Sequence, residues 1–227
     1  ASASTSDTGS SVLPLLLGDA FNGADTSAIG AGDATLQQYF LTASDLPSGY
    51  ALVDASTERV HDGISSSGTI DVALASLTKG RPGDASATLV LSMTMKFSDL
   101  RDLDTAFAGL SGNELTSQLS GSGLPSGLFT DVKALPTDGL GGRATGFSLT
   151  MDLGSLLKTI TGALGGTDAT PPALPSGVPS QVRLRIYIFG QAQYAGAVMV
   201  ADYGTPDARL DLLALSKIAE SRLPTAP

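Results

Sequence analysis

From Leu89 to Phe97 every second residue is large and apolar: Leu89, Leu91, Met93, Met95 and Phe97 alternate with Val90, Ser92, Thr94 and Lys96. Successive side chains of a β-strand point to opposite faces, so this period predicts a strand with one buried face. One strand cannot bury its own face, and the rest of the chain must supply a sheet and a covering layer. Ile70 to Leu77, with Ile70, Val72 and Leu74 on one side, supplies a second strand. Ala144 to Leu153, with Thr145, Phe147, Leu149 and Met151 on one side, supplies a third. Val182 to Phe189 and Ala192 to Ala201 are both β-rich and are joined through Gly190-Gln191, where glycine at the first central position permits a type II′ turn. An antiparallel hairpin is expected there.

Helical spacing appears in three places. Ser98 stands where an N-cap should, Asp99 and Asp102 suit the positive end of a helix, and Leu100, Leu103, Phe107 and Leu110 form its stripe. Ala34 to Leu41 reads as a helix capped by Asp33, followed by a turn over Asp45 to Tyr50. Thr205-Pro206 gives a cap and a first-turn proline ahead of the stripe Ala208, Leu212, Leu215, Ala219 and Leu223. Gly/Pro turns fall at Gly80 to Gly83 and in the loop Gly121 to Gly127. The expected class is α+β, an antiparallel β-sheet covered by helices; too few long crossovers are available for a parallel βαβ plan.

At 227 residues one core is the natural organisation. Residues 1–11, opening with Ala1-Ser2-Ala3-Ser4-Thr5-Ser6, read as a tether left after a signal sequence is cut, and 12–227 as a single domain. The expected location is therefore extracytoplasmic: secreted, periplasmic or cell-surface, with lipid anchorage at the N-terminus left open. No apolar run approaches the roughly 18 residues of a spanning helix. A net charge of -9 repels phosphate backbones and anionic headgroups, which argues against nucleic acid and membrane surfaces and favours a cationic or neutral partner.

Little chemistry is available. Cysteine is absent, so disulfides, thiolate metal sites and cysteine nucleophiles are excluded together. His61 is the single histidine and stands in the polar string Val60-His61-Asp62-Gly63 with no nucleophile elbow nearby, so it reads as a solvated turn residue. Glu58, His61 and Asp62 lack the further ligands of a metal site. The strings Gly121-Ser122-Gly123 and Gly139-Leu140-Gly141-Gly142 lack the Lys-Ser/Thr of a P-loop and read as loops. Asp102 and Asp104 read as a solvated helix face and not as a glycosidase pair. No catalytic residue, metal or cofactor is expected, and the chain is read as no enzyme.

Two features suggest binding. Residues 154–180 are too long for a hairpin loop and combine an amphipathic stripe, with Leu156, Leu157, Ile160 and Leu164, stopped by Gly165-Gly166, with the stiff run Thr170 to Pro175. This inserted helix reads as core, as a lid over an apolar cavity, or as a docking element. Arg183, Arg185 and Tyr187, with Phe189, share one face of a strand and could line a partner surface, since Arg and Tyr are enriched at interfaces. A wet outer strand end running inward under a helix is the plainer account.

Phe40-Leu41-Thr42-Ala43-Ser44-Asp45-Leu46-Pro47-Ser48-Gly49-Tyr50 resembles the opening of PsbP-like secreted proteins and lipoproteins of bacteria. Ile188-Phe189-Gly190-Gln191, Val198-Met199-Val200 and the run Leu215 to Leu223 are similar to their closing signature. The resemblance implies an antiparallel sheet flanked by helices and a role in binding or assembly, with no functional residue carried over. The 154–180 segment departs from that pattern and resembles the insert of mycobacterial lipid-carrier lipoproteins. The leading expectation is a non-enzymatic cell-envelope protein, an interaction or accessory subunit of a larger assembly whose partner is an envelope protein. The alternative is a carrier of a lipid or other apolar small molecule, and the third a weak hydrolase. Seven Phe, five Tyr and no Trp leave little bulky surface to line a large cavity.

Overall fold

The computed structural model describes residues 28–61, 68–80, 86–108, 110, 128–157, 174 and 178–225. Eight strands, β1 (Ala28–Ala31), β2 (Ala51–His61), β3 (Thr69–Lys79), β4 (Thr88–Lys96), β5 (Phe129–Ala134), β6 (Arg143–Asp152), β7 (Gln181–Gln191) and β8 (Tyr194–Asp202), form one sheet. Their order is β1-β2-β3-β4-β8-β7-β6-β5, and every neighbouring pair is antiparallel. Two meanders, β1 to β4 and β5 to β8, therefore meet along the single seam between β4 and β8. Helix α1 (Leu100–Ala108) follows β4, and α2 (Leu212–Arg222) follows β8. The class is α+β, with a large antiparallel sheet and helices against it.

The helices lie on opposite faces. On the α1 face, Leu103 and Ala106 cluster with Ile70, Met93, Met95, Phe147, Leu149, Ile186 and Ile188. On the α2 face, Leu212, Leu215 and Ala219 cluster with Leu77, Val90, Tyr187, Phe189, Val198 and Val200. Burying each such Leu, Ile or Phe contributes about 1.5–3 kcal/mol, so each face holds the central strands strongly. β4 is thus covered on both sides, not one: Ser92 and Thr94 are as buried as Met93 and Met95. Ser92 tolerates this because its Oγ accepts the Leu41 N–H at 3.1 Å, docking the segment that runs over the sheet.

That segment, residues 33–50, is a strap of two short 3-10 turns, Ala34–Tyr39 and Ala43–Asp45. Asp33 caps the first through Thr35 N, as its position suggests, but the turn is 3-10 and stops at Tyr39, short of the α-helix expected to Leu41. Leu36, Phe40, Leu41, Leu46 and Tyr50 all point into the α2-face cluster, a density of anchors that one regular helical stripe would not place there.

Three boundaries move for local reasons. Asp99, not Ser98, caps α1, accepting from the N–H groups of Arg101 and Asp102. The β7–β8 hairpin turns at Ala192-Gln193, with Ala192 at φ 50°, two residues beyond Gly190-Gln191. Gly190 instead lies in β7 under α1, where a β-carbon would sit 2.9 Å from the Phe107 ring; its glycine serves packing and not the turn. Helix α2 begins at Leu212 under the cap Asp211, later than Thr205-Pro206 suggests. The intervening residues are held by Asp207, which accepts from Arg209 N at 3.1 Å and leads into a turn.

Candidate interaction surface

The expected arginine stripe exists, and the fold uses most of it. Arg183, Arg185 and Tyr187 share the α2 face of β7, opposite Asp202, Val200 and Val198 of β8. Asp202 is buried: Arg185 Nη2 donates to its Oδ2 at 3.0 Å and Thr88 Oγ1 to its Oδ1 at 3.4 Å. Removing one member of such a pair leaves a charge stranded, at a cost of about 3–5 kcal/mol, so Arg185 is committed to the sheet. Tyr187 is buried as well, its hydroxyl donating to the Pro136 carbonyl at 2.8 Å and its ring lying where a side chain on Gly146 would be. Burial pushes its phenol up. Only Arg183 remains exposed.

The inserted segment is described at its roots. Residues 153–157 start a helix, with Asp152 Oδ1 accepting from Ser155 N at 2.6 Å in the manner of a cap. Leu156 and Leu157 are half-buried, and Leu153 packs against the α1-face cluster. Leu153 N donates to Ser180 O at 2.9 Å, so the segment leaves and rejoins the sheet at one point. Ile160 and Leu164 lie outside the described residues, as do the Gly121 to Gly127 loop and most of Gly80 to Gly83. The structure therefore gathers Arg183, Arg185 and Tyr187 on one face of β7 and places Leu156 and Leu157 just past the end of β6.

Charge on the α2 face staples the strap. Asp207 accepts from Lys79 Nζ at 2.7 Å, and Arg209 reaches from Asp207 to the Ser48 carbonyl. Those two cations, Arg209 first and Lys79 second, hold the Asp207 carboxyl well below its usual range. At the other end Arg222 donates to Asp45 Oδ1 at 2.6 Å and to the Phe40 carbonyl. Burial works to raise Asp45, but the bonds from Arg222 and Thr42 outweigh it, and the group lies below its ordinary value. Asp33 accepts from Thr35 and from Lys96 Nζ at 3.0 Å and is held at about 2. Tyr50, buried beside Thr88 and Asp207, is pushed up by burial, and the carboxylates of Asp207 and Asp202 add to that. Asp102, in α1, is buried where a solvated face was expected, whereas its neighbour Asp104 is exposed and paired with Arg143. His61 ends β2, exposed, opposite Thr69. Among the described residues no three His, Asp or Glu side chains group to hold a metal, and no helix is long and apolar enough to cross a membrane.

Among the described residues, one margin of the sheet remains open. β2 pairs with β3 along its length, but β1 covers it only from Glu58 to Val60. Gly32 explains the departure: it donates to Thr57 O at 3.5 Å, and a β-carbon there would lie 2.5 Å from the Glu58 carbonyl oxygen, so the chain crosses close and then turns away into the strap. Thr57 turns its carbonyl outward to Gly32; by the period of the strand, Ala55 turns its N–H and C=O outward too, where they meet no partner among the described residues. Beside it a bulge between Leu52 and Asp54 throws out an apolar pair, Leu52 at 57% and Val53 at 63% exposure. Asp54 and Glu58 are exposed on the other face and form no ion pair among the described residues. Sequence reasoning misses this strand because its exposed apolar residues stand side by side and not in alternation. The adjacent Leu52-Val53 ahead of Asp54 is the trace of the bulge.

No family model matches the chain, and no curated protein matches it. Among solved structures, the extracellular domain of PknH from Mycobacterium tuberculosis aligns with a TM-score of 0.41 at 12% identity, over 86% of this chain and 98% of that one.

Proposed function

We propose that this chain is a non-catalytic interaction subunit that works outside the cytoplasm and docks on a partner through the open margin of β2. The observation that carries the reading is the exposed Leu52–Val53 pair beside backbone groups that meet no sheet partner among the described residues, a combination that proteins ordinarily cover or blunt. The charged clusters support it from the other side. Asp202, Asp207 and Asp45 each spend their oxygens on Arg or Lys within the fold, which is how structural and not catalytic carboxylates behave. The PsbP-like plan fits the same role: the two stretches that carry that resemblance meet, Phe40 and Leu46 packing in one cluster with Leu215 and Leu223 and joined by Arg222.

The test is a photo-activated cross-linker placed at Leu52 in the producing cells, with Ile218 on the exposed side of α2 as the control position. A stoichiometric protein adduct from Leu52 and none from Ile218 is expected. Adducts from neither position, together with acyl chains in native mass spectra of the purified protein, would replace this reading with that of a lipid carrier.

A further inference from the structure

We infer that the occupant of the open margin is an extended segment of a partner protein, about six residues long, added as an antiparallel strand and carrying both apolar and basic side chains. This rests on the interaction reading above and names what the surface takes. Three features select that occupant. The outward N–H and C=O of Ala55 ask for a backbone and not for a helix face or an acyl chain, since only another strand satisfies such groups in line. Leu52 and Val53 offer apolar area to side chains of that strand. Asp54, and Glu58 at the far end, offer negative charge with no cation of their own among the described residues, on a chain whose net charge is -9. Lys or Arg on the added strand meets them favourably, while like charges set opposite one another destabilise a sheet. The same charge argues against a second copy of this chain, which would bring Asp54 and Glu58 against their own kind. Antiparallel addition continues the pattern of every existing neighbour in the sheet.

The probe is a short peptide of alternating lysine and valine, compared with one in which glutamate replaces lysine and with one N-methylated on the amides that would face Ala55. The lysine peptide is expected to bind the whole chain, by fluorescence anisotropy, and to slow amide exchange at Ala55. N-methylation, or Ala55→Pro in the protein, should weaken it at least about tenfold, the loss of about 1.4 kcal/mol of hydrogen bonding. Ala55 turns its N–H away from β3, so proline there leaves the β2–β3 ladder intact, and an unchanged melting curve checks this. Should that variant not fold, the N-methylated peptide decides on the native protein. Asp54→Lys should weaken the lysine peptide and favour the glutamate one. Equal binding of the methylated peptide, indifference to charge, or protection of Ala55 by self-association without peptide binding would each overturn the inference. A protein adduct at Leu52 with a failed peptide series leaves the interaction reading standing and removes this one; failure of both removes both.

Discussion

At one margin of the sheet β5 is six residues long, is bulged between Thr130 and Lys133, and carries Asp131 in a left-handed conformation at φ 54°. At the other, β2 runs for eleven residues with its first half uncovered by any described strand and an apolar pair exposed. Short length, a bulge and an outward lysine are the devices by which proteins discourage strand addition. β5 uses all three. β2 has a bulge too, but this one pushes Leu52 and Val53 outward and leaves Ala55 accessible. The two edges of one sheet thus differ in what they permit, and the interaction proposed above uses the margin that the described residues leave unguarded.

The contrast can be broken most forcefully from the guarded side. Gly146 in β6 lies against the Tyr187 ring, and a β-carbon there would lie 3.2 Å from Leu135, whose N–H the Gly146 carbonyl accepts at 2.8 Å. Gly146→Val should cost about 1–3 kcal/mol by overpacking, seen as a lower midpoint in denaturant. It should also free the end of β5 in hydrogen exchange while β2 is unaffected. If β5 keeps its protection, the margin is held by something other than this contact.

A smaller effect is expected from Gly32→Ala. The added carbon meets the Glu58 backbone, so β1 should lift off and extend the open margin to Val60, with a loss of about 1 kcal/mol for the few edge hydrogen bonds involved. Faster amide exchange at Arg59, with thermal stability little changed, is the outcome to look for.

The smallest effect is on pH. The folded Asp33 carboxyl is depressed from 3.8 to about 2 by its bonds with Thr35 and Lys96. Such a group contributes in full above its ordinary value and loses its contribution as the pH falls through the folded value. Stability should therefore decline between about pH 4 and pH 2, with no more than about 1 kcal/mol from Asp33 once solvent screening is allowed for. Asp33→Asn should flatten that part of the curve. The strap, which lies beside β2 and away from β5, should loosen first, with Leu41 N–H as the reporter.

The legible parts of this molecule are those where side chains sort by face. β3, β4 and β6 show in the sequence as a period of two, while β7 and β8, buried on both faces over most of their length, show as β-rich runs joined by a turn. β1 is four residues long, β5 is broken by its bulge, and β2 is exposed on both faces over its first half, so none carries that period. The arginine stripe was visible, but its burial was not. Its partner Asp202 stands opposite Arg183 only when the hairpin turns at Ala192-Gln193; a turn at Gly190-Gln191 would have set Val198 there instead. The candidate margin was illegible for a more general reason: an edge is defined by which strand is missing, and a strand's neighbours are not written in its own residues.

The seam between the two meanders matters before the protein is finished. Thr88 in β4 bonds Asp202 in β8 across 114 residues of chain, so a ribosome releases one flank of β4 on the order of ten seconds before its partner exists. Until β8 exists, the strand holding Leu89, Leu91, Met93 and Met95 has a sheet neighbour available on one side only. Any stage in which β4 has paired with β3 but not with β8 leaves a long unpaired edge where the centre of the sheet will be. Long-range pairing of this kind slows folding relative to local contacts. Synthesis of this protein should depend on holding chaperones more than its final stability suggests.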